Sequence, residues 1–268
     1  MQKLGNHLMR TDSQRVLIET EHLDLVLQLR YHRSLSWRDV FVEVGKSPIE
    51  SLFPEADTYQ VLRDVNLSIH SGDRVGIIGI NGSGKTTLCR CLAGMFVPSR
   101  GAVHSHCEVQ GVFDTTVGIK SELTGRENAF LLARLMFPYV KDVKPIAEEA
   151  LSFAELGGFE DIAFKWYSKG MQTRLCLSLI SSSSHELLIL DEVFTGADQY
   201  FSEKVEKRVL KMIYNSGGVI FVSHSMDQVK RVCNRVILIN EGTIAFDGAV
   251  EEGINRYQKI TEERTRIE

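Results

Sequence analysis

Apolar and polar residues alternate along HLDLVLQL, where Leu23, Leu25, Leu27 and Leu29 recur at every second position, the period of a half-buried strand. The same period returns in VLRDVNLSI through Val65, Leu67 and Ile69, after which SGD turns the chain into the apolar strand RVGIIGI. Between the two alternating segments, RYHRSLSWRDVFVEVGKSPIESLFPEADTY mixes aromatic, charged and proline residues and is expected to form an inserted helix and loop. RVGIIGI runs straight into a glycine-rich loop and then KTTLCRCLAGMF, a predicted helix ended by Pro98. The first part of the chain therefore predicts antiparallel strands beside a strand–loop–helix unit.

The middle of the chain changes period. Thr124 to Glu127 fit a capping box, T-x-x-E, opening the helix NAFLLARLMF. Pro145 stands near the first turn of a second helix, IAEEALSFAEL, which Gly157 and Gly158 end. Residues from about Glu122 to Ser181 are expected to form a helical subdomain, and the serines 181–184 a short polar connector. Strand and helix then alternate again. ELLILDEV predicts a buried strand, SEKVEKRVLKMIYN an amphipathic helix with Val205, Val209 and Met212 on one side, and GGVIFVS another strand. RVILINEGTIAFDG predicts a hairpin around Asn240 to Gly242. No internal repeat is visible.

Composition narrows the class rather than naming it. Hydrophobic residues make up 43% and charged residues 25%, as in a soluble globular chain, and the net charge of −4 supplies no basic field for nucleic acid or an acidic membrane. No apolar run approaches the roughly 18 residues of a membrane span, and the start, MQKLGNHLMRTDSQ, has no apolar signal region. Cys89, Cys91, Cys107, Cys176 and Cys233 form no C-x-x-C pair and are expected to be free thiols in a reducing compartment. The chain is expected to be soluble and intracellular, with any membrane role supplied by a partner.

The chemistry begins at Gly79, Gly84, Lys85 and Thr86, which satisfy G-x4-G-K-[ST]. Glycines let backbone N–H groups curl around phosphates, and the helix start adds its partial positive charge. Lys85 is placed for the β- and γ-phosphates and Thr86 for Mg²⁺. Asn81, Gly82 and Ser83 within the loop, and Thr87 after it, complete the candidate nucleotide-binding set. A bare tight turn is the alternative, but an apolar strand runs into this loop and a helix follows it. LLILDE then places Asp191 and Glu192 at the end of a buried strand, where α/β folds collect their ligands. Asp191 would hold Mg²⁺ through its water shell and Glu192 would orient or deprotonate the attacking water. His224, after the apolar strand in IFVSHS, is aimed toward the γ-phosphate. Phosphoryl transfer from ATP to water is the expected reaction. The predicted fold is α/β: a P-loop NTPase core with a mixed sheet and flanking helices, an antiparallel β subdomain and the inserted helical subdomain.

One tract has no role in a lone ATPase. YSKGMQTRL puts Ser168 and Gly170 at the start of another helix, a second anion-binding entrance, in the helical subdomain rather than beside the phosphate loop. Two chains related by a twofold axis can use both entrances, each offering its Ser168 end to the ATP held by the other.

With that tract in place, the order of phosphate loop, helical insertion, YSKGMQ, LLILDE, TGAD and FVSH resembles the nucleotide-binding subunits of ABC transporters over about residues 59 to 250. The resemblance implies a head-to-tail ATP sandwich of two copies bound to two membrane-spanning permease subunits at the cytoplasmic face of the inner membrane. It implies that Ser168, Gly170 and Met171 meet the partner's nucleotide, that Asp198 contacts across the dimer, and that Tyr59 stacks on adenine. YSKGM in place of the commoner LSGGQ, together with ELTGREN, DEV, CNRVILINEGTIAFDG and INRY, resembles the ATPases that power export of O-antigen, capsule and teichoic acid. The whole of residues 1–268 is then one nucleotide-binding domain. The carbohydrate-binding domain of some such exporters is expected to be absent, which would leave the glycan to the permease.

The resemblance has departures. The glutamine usual between phosphate loop and helical subdomain is replaced near Asp114, a further candidate at the metal, while Gln110 lies several residues early. Lys169 replaces a small residue of the signature. The alternative class is an ABC-type ATPase that moves no solute, a soluble mechanochemical or regulatory module. Such proteins carry long coiled-coil insertions or a second ATPase copy, and neither is present here. A cytosolic P-loop kinase leaves YSKGM without work.

Overall fold

The computed structural model describes residues 15–29, 57–113, 118–182, 185–191 and 199–265. The segment 30–56, expected as helix and loop, lies outside the described residues, as do Asp114, Glu192 and Asp198.

Two long strands, β1 (Val16–Leu29) and β2 (Asp57–His70), pair antiparallel, and β4 (Arg100–Ser105) joins the other side of β1. Leu23, Leu25, Val65, Leu67 and Ile69 are buried, as their alternation requires. The register between β1 and β2 slips at several points, so the ribbon bends rather than running flat.

A second sheet has the order β5-β6-β7-β3-β8-β9. β3 (Arg74–Ile78), β5 (Val109–Val112), β6 (Leu187–Asp191), β7 (Gly218–Val222) and β8 (Arg235–Asn240) run parallel, and β9 (Thr243–Gly248) returns antiparallel from β8. The expected hairpin is that last pair, turning through Glu241 and Gly242. The near-continuous apolar runs of the central strands have a direct cause: both faces are covered. Ile77, Leu187, Ile189, Ile220, Val222, Ile237 and Ile239 face one core, shared with the antiparallel sheet and with α1 (Lys85–Leu92). Ile78, Leu188, Leu190, Val219, Phe221, Val236 and Leu238 face the other. The second core is capped by α5 (Gln199–Asn215), α6 (Met226–Val232) and α7 (Val250–Thr265), through residues including Val209, Met212, Val229 and Ile254.

The helical layer has its own core. α2 (Gly125–Met136), α3 (Lys144–Ala154), a 3₁₀ turn (Phe164–Trp166) and α4 (Lys169–Ile180) enclose Ala129, Ala133, Ala150, Leu151, Phe164 and Leu175. Small alanines at the facing positions let the helices approach closely. The capping box at the start of α2 is complete: the Thr124 hydroxyl accepts from the Glu127 N–H, and the Glu127 carboxylate accepts from the Thr124 N–H. Pro145 occupies the first turn of α3. Arg208 of α5 reaches across to this layer, donating both guanidinium arms to the carboxylate of Glu149 on α3 and lying over the Phe153 ring.

One boundary differs from expectation. α1 ends at Leu92 rather than running on to Pro98. Gly94 takes φ 71°, its N–H donates to Cys91 O, and the Met95 N–H donates to Arg90 O. That pair of bonds is a Schellman motif, which satisfies the last carbonyls and stops the helix before proline is reached.

Candidate functional site

The sheet register gathers the candidate residues. β7 lies between β3 and β6, and Val222 pairs with Ile77 on one side and with Asp191 on the other. The carboxyl ends of three adjacent parallel strands therefore carry, side by side, the loop opened by Gly79, the carboxylate of Asp191, and the segment Ser223–His224. This is the edge at which open α/β sheets bind ligands.

The loop is shaped for backbone N–H groups rather than side chains. Gly82 and Gly84 have φ values of 78° and 106°, in the left-handed region that favours glycine. A Cβ on Gly79 would stand 2.3 Å from Ile239 O and 2.7 Å from Ser83 Oγ, so no other residue fits there. Gly84 is the N-cap of α1 and gives no side-chain cap, which leaves the helix start open to an anion. Lys85, the first helical residue, is only 6% exposed. Its ammonium donates to the carbonyls of Gly79 and Ile80, each at 2.9 Å, and so is held within the curve of the loop. Thr86 and Thr87 follow on the first turn, both half-buried.

The turn between β8 and β9 braces this loop. The Gly242 N–H donates to Ser83 O at 3.0 Å, and the Arg63 N–H of β2 donates to Gly242 O at 2.9 Å. The phosphate loop, the last hairpin and the strand carrying Tyr59 are thereby tied at one point. Tyr59 is 56% exposed and lines a cavity of about 390 Å³ together with Asn81, Gly82 and Ser83.

Asp191 and Lys85 both act on one buried thiol. Asp191 is buried at the end of β6. The Cys89 thiol on α1 is pushed well above its ordinary value by burial first, then by the negative charge of Asp191 and the neighbouring Cys91, while Lys85 pulls it down. A buried carboxylate and a buried ammonium thus act on one thiol beneath the loop. Among the described residues, Ser83 Oγ is also buried with no hydrogen-bond partner, a hydroxyl at the loop whose bonding is incomplete within the protein. A close-packed glycine cradle, a buried cation, an incompletely bonded hydroxyl and a buried carboxylate together fit a nucleoside triphosphate and a divalent cation held by oxygen donors.

His224 is exposed, one residue before Ser225, whose hydroxyl accepts the Gln228 N–H and caps α6. Ser168 caps α4, its Oγ accepting the Met171 N–H at 3.2 Å. Tyr167, just before it, is buried and donates its hydroxyl to Phe159 O at 2.7 Å. Around Gly170 a Cβ would meet nothing nearer than Ser168 Oγ at 3.9 Å. Ser168, Gly170 and Met171 stand at the helical layer, not on the strand edge that carries Lys85, Asp191 and His224. The residues that the sequence reading passed over are Glu241 and Arg264, which line the same cavity as Tyr59. A glutamate in a hairpin turn and an arginine in a polar helix carry no local pattern that would mark them.

All five cysteines are free, and four of them are buried. Among the described residues no helix is long and apolar enough to cross a membrane.

Comparison with known proteins agrees with this geometry. The signature of the family described as ABC transporter matches residues 62–195. The O-antigen export system ATP-binding protein RfbB of Klebsiella pneumoniae is 35% identical over 201 residues, 75% of this chain and 82% of that protein. The teichoic acids export ATP-binding protein TagH of Listeria monocytogenes is 33% identical over 203 residues, 76% of this chain and 60% of that longer protein. Among solved structures, an ATP-binding cassette in a dimeric post-hydrolysis state with ADP and Pi superposes with a TM-score of 0.66 at 19% identity, covering 87% of this chain and 99% of that one.

Proposed function

The chain belongs to the ABC transporter family, and from that premise we propose that it is the ATP-binding and ATP-hydrolysing subunit that powers export of a cell-surface polysaccharide of O-antigen, capsule or teichoic-acid type. Two copies would work together beneath two permease subunits at the cytoplasmic face of the membrane. The observation that carries the reading is the strand edge itself, where the loop of Lys85 and the carboxylate of Asp191 end two parallel strands separated only by β7. The export role rests on the likeness to exporter ATPases over most of their length.

Each residue has a task in that reaction. Backbone N–H groups of Gly82 to Lys85 and the start of α1 hold the phosphates, and the Lys85 ammonium leaves its loop carbonyls to neutralise the β- and γ-oxygens. Thr86 and Asp191 would hold Mg²⁺, with Asp114 as a third contact; the ion, when bound, supplies charge neutralisation between the phosphoryl groups. Glu192 orients and deprotonates the attacking water, and His224 contacts the γ-phosphoryl oxygen. Tyr59 offers its exposed ring to the base. Ser168, Gly170 and Met171 of one copy complete the site of the other, with Asp198 at the contact between copies. Closure follows because ATP has more partners in the closed dimer than in the open one, and only such a difference moves the equilibrium.

The test pairs biochemistry with a cellular readout. The purified chain should hydrolyse ATP only with Mg²⁺ and should co-purify with an integral membrane protein. Deleting its gene should remove the surface polysaccharide, and restoring the gene with Lys85→Ala should not return it. Normal surface polysaccharide in the deletion strain would overturn the export assignment.

A further inference from the structure

The cavity beside the phosphate loop has an outer wall that the nucleotide assignment does not use. Tyr59, Asn81 and Ser83 line it together with three charged residues, Arg63, Glu241 and Arg264. Its volume of about 390 Å³ lies within the range of small-molecule sites, roughly 300–1,000 Å³. Glu241 sits in the β8–β9 turn with φ 47°, and Arg264 lies in the last turn of α7. Their charged groups approach to 3.8 Å, and both side chains are more than half exposed, at 72% and 54%. A pair that wet and that long holds itself together weakly, so both groups are available to a ligand at little cost.

The direction of the cavity decides what it takes. The phosphates belong to the start of α1 and to Lys85, and neither Lys85 nor Thr86 lines the cavity. The room therefore opens beside the loop rather than at Lys85, and its lining includes an aromatic ring, a carboxylate and two guanidiniums, those of Arg63 and Arg264. A carboxylate repels phosphate but accepts hydrogen bonds from ribose hydroxyls or an exocyclic amine. A guanidinium stacks on a flat ring or donates to its nitrogens and to ribose oxygens.

Resting on the nucleotide reading above, we propose that Glu241 and Arg264 bind the nucleoside half of ATP in the cavity that Tyr59 also lines, bringing α7 into direct contact with the ligand. α7 is then part of the binding site as well as a cap on the second core. The two residues act on affinity and on the choice of base, not on the transfer step.

The experiment compares ATP with inorganic tripolyphosphate, which has the phosphates and lacks the nucleoside. Full-length wild type, Arg264→Ala and Glu241→Gln are titrated with each by calorimetry, with Lys85→Ala as the control for the loop. Gln keeps the side-chain length at a position with positive φ, and Arg264 is exposed, so both variants should fold; circular dichroism and a thermal melt check this. Arg264→Ala should weaken ATP at least about tenfold, in line with loss of a hydrogen bond to a charged donor, and leave tripolyphosphate unchanged. Glu241→Gln should weaken ATP by a smaller factor, again sparing tripolyphosphate, and both should narrow the preference for ATP over GTP. Unchanged ATP affinity in both variants overturns the proposal and leaves the nucleotide reading intact. Equal weakening of both ligands overturns it too, because the wall would then be holding phosphate. Lack of ATP binding by wild type overturns both readings together.

Discussion

Gly125 and Tyr167 are fitted to one another: a Cβ on Gly125 would stand 1.9 Å from the Tyr167 hydroxyl oxygen. Gly125 opens α2 and Tyr167 leads into the Ser168 cap of α4, so this one close approach sets the entrance of α4 against its neighbouring helix. Gly125→Ala must displace the ring. The expected cost is about 1–3 kcal/mol by urea denaturation. ATP binding at the phosphate loop should survive, while turnover should fall because the Ser168 entrance has moved. Tyr167→Phe removes only the bond to Phe159 O and should cost about 1 kcal/mol.

The same hydroxyl gives a pH signature. Burial is the main cause that raises the Tyr167 pKa from 10.0 to about 12. A raised folded value means the neutral form is favoured by folding, so its contribution is complete below pH 10 and is lost as pH climbs through 12. The stability difference between wild type and Tyr167→Phe, followed by urea midpoint, should shrink across that window. A difference that stays constant from pH 9 to pH 12 would speak against a buried hydroxyl.

Lys85 and Asp191 should separate binding from hydrolysis. Lys85→Ala removes the buried ammonium from the loop and should raise the Kd for ATP at least about tenfold, since a charged hydrogen-bonding partner is lost. Asp191→Asn keeps the shape of the strand end but removes the charge that would attract a cation. ATP should still bind in EDTA, and Mg²⁺-dependent hydrolysis should drop to background in a phosphate-release assay.

Gly170 tests whether the second helix entrance works for a partner or for the fold. Open space surrounds it, and alanine is a better helix former, so Gly170→Ala should leave stability unchanged or raise it by up to about 1 kcal/mol. Turnover should nevertheless fall, because in the proposed two-copy site the added methyl would meet the other copy's phosphate. Full activity in a stabilised variant would remove Ser168 and Gly170 from the mechanism.

Glu192→Gln should bind ATP, fail to hydrolyse it and accumulate as a dimer on sizing chromatography with ATP and Mg²⁺. A monomeric elution with continuing hydrolysis contradicts the two-copy scheme.

The sequence made some of this structure legible and hid the rest for identifiable reasons. Period-two runs exposed β1 and β2, and uninterrupted apolar runs exposed β3, β6, β7 and β8, because burial on one face or both writes directly into residue type. α2 was legible from its capping box, where the signal is a local hydrogen-bond exchange. β4 was not legible: Arg100–Ser105 is half-buried or exposed along its length, so no alternation is required of it. α7 was missed because Val250, Ile254, Tyr257 and Ile260 carry its apolar contacts with the core in a helix otherwise rich in charge. Lys85, Asp191 and His224 could be named from motifs, since each follows an apolar strand. Their convergence on one phosphate was expected, but the strand order that achieves it, with β7 between β3 and β6, was not legible. Glu241 and Arg264 were invisible for the same reason, being joined by tertiary folding alone.

The hydrogen bond from Gly242 to Ser83 joins points distant in the sequence, and its consequence is one of timing. A chain still on the ribosome makes its phosphate loop early and its brace late. Until the β8–β9 hairpin emerges from the exit tunnel, the nascent chain carries an unsupported cradle. Competence to use ATP therefore waits on that hairpin rather than on the loop itself.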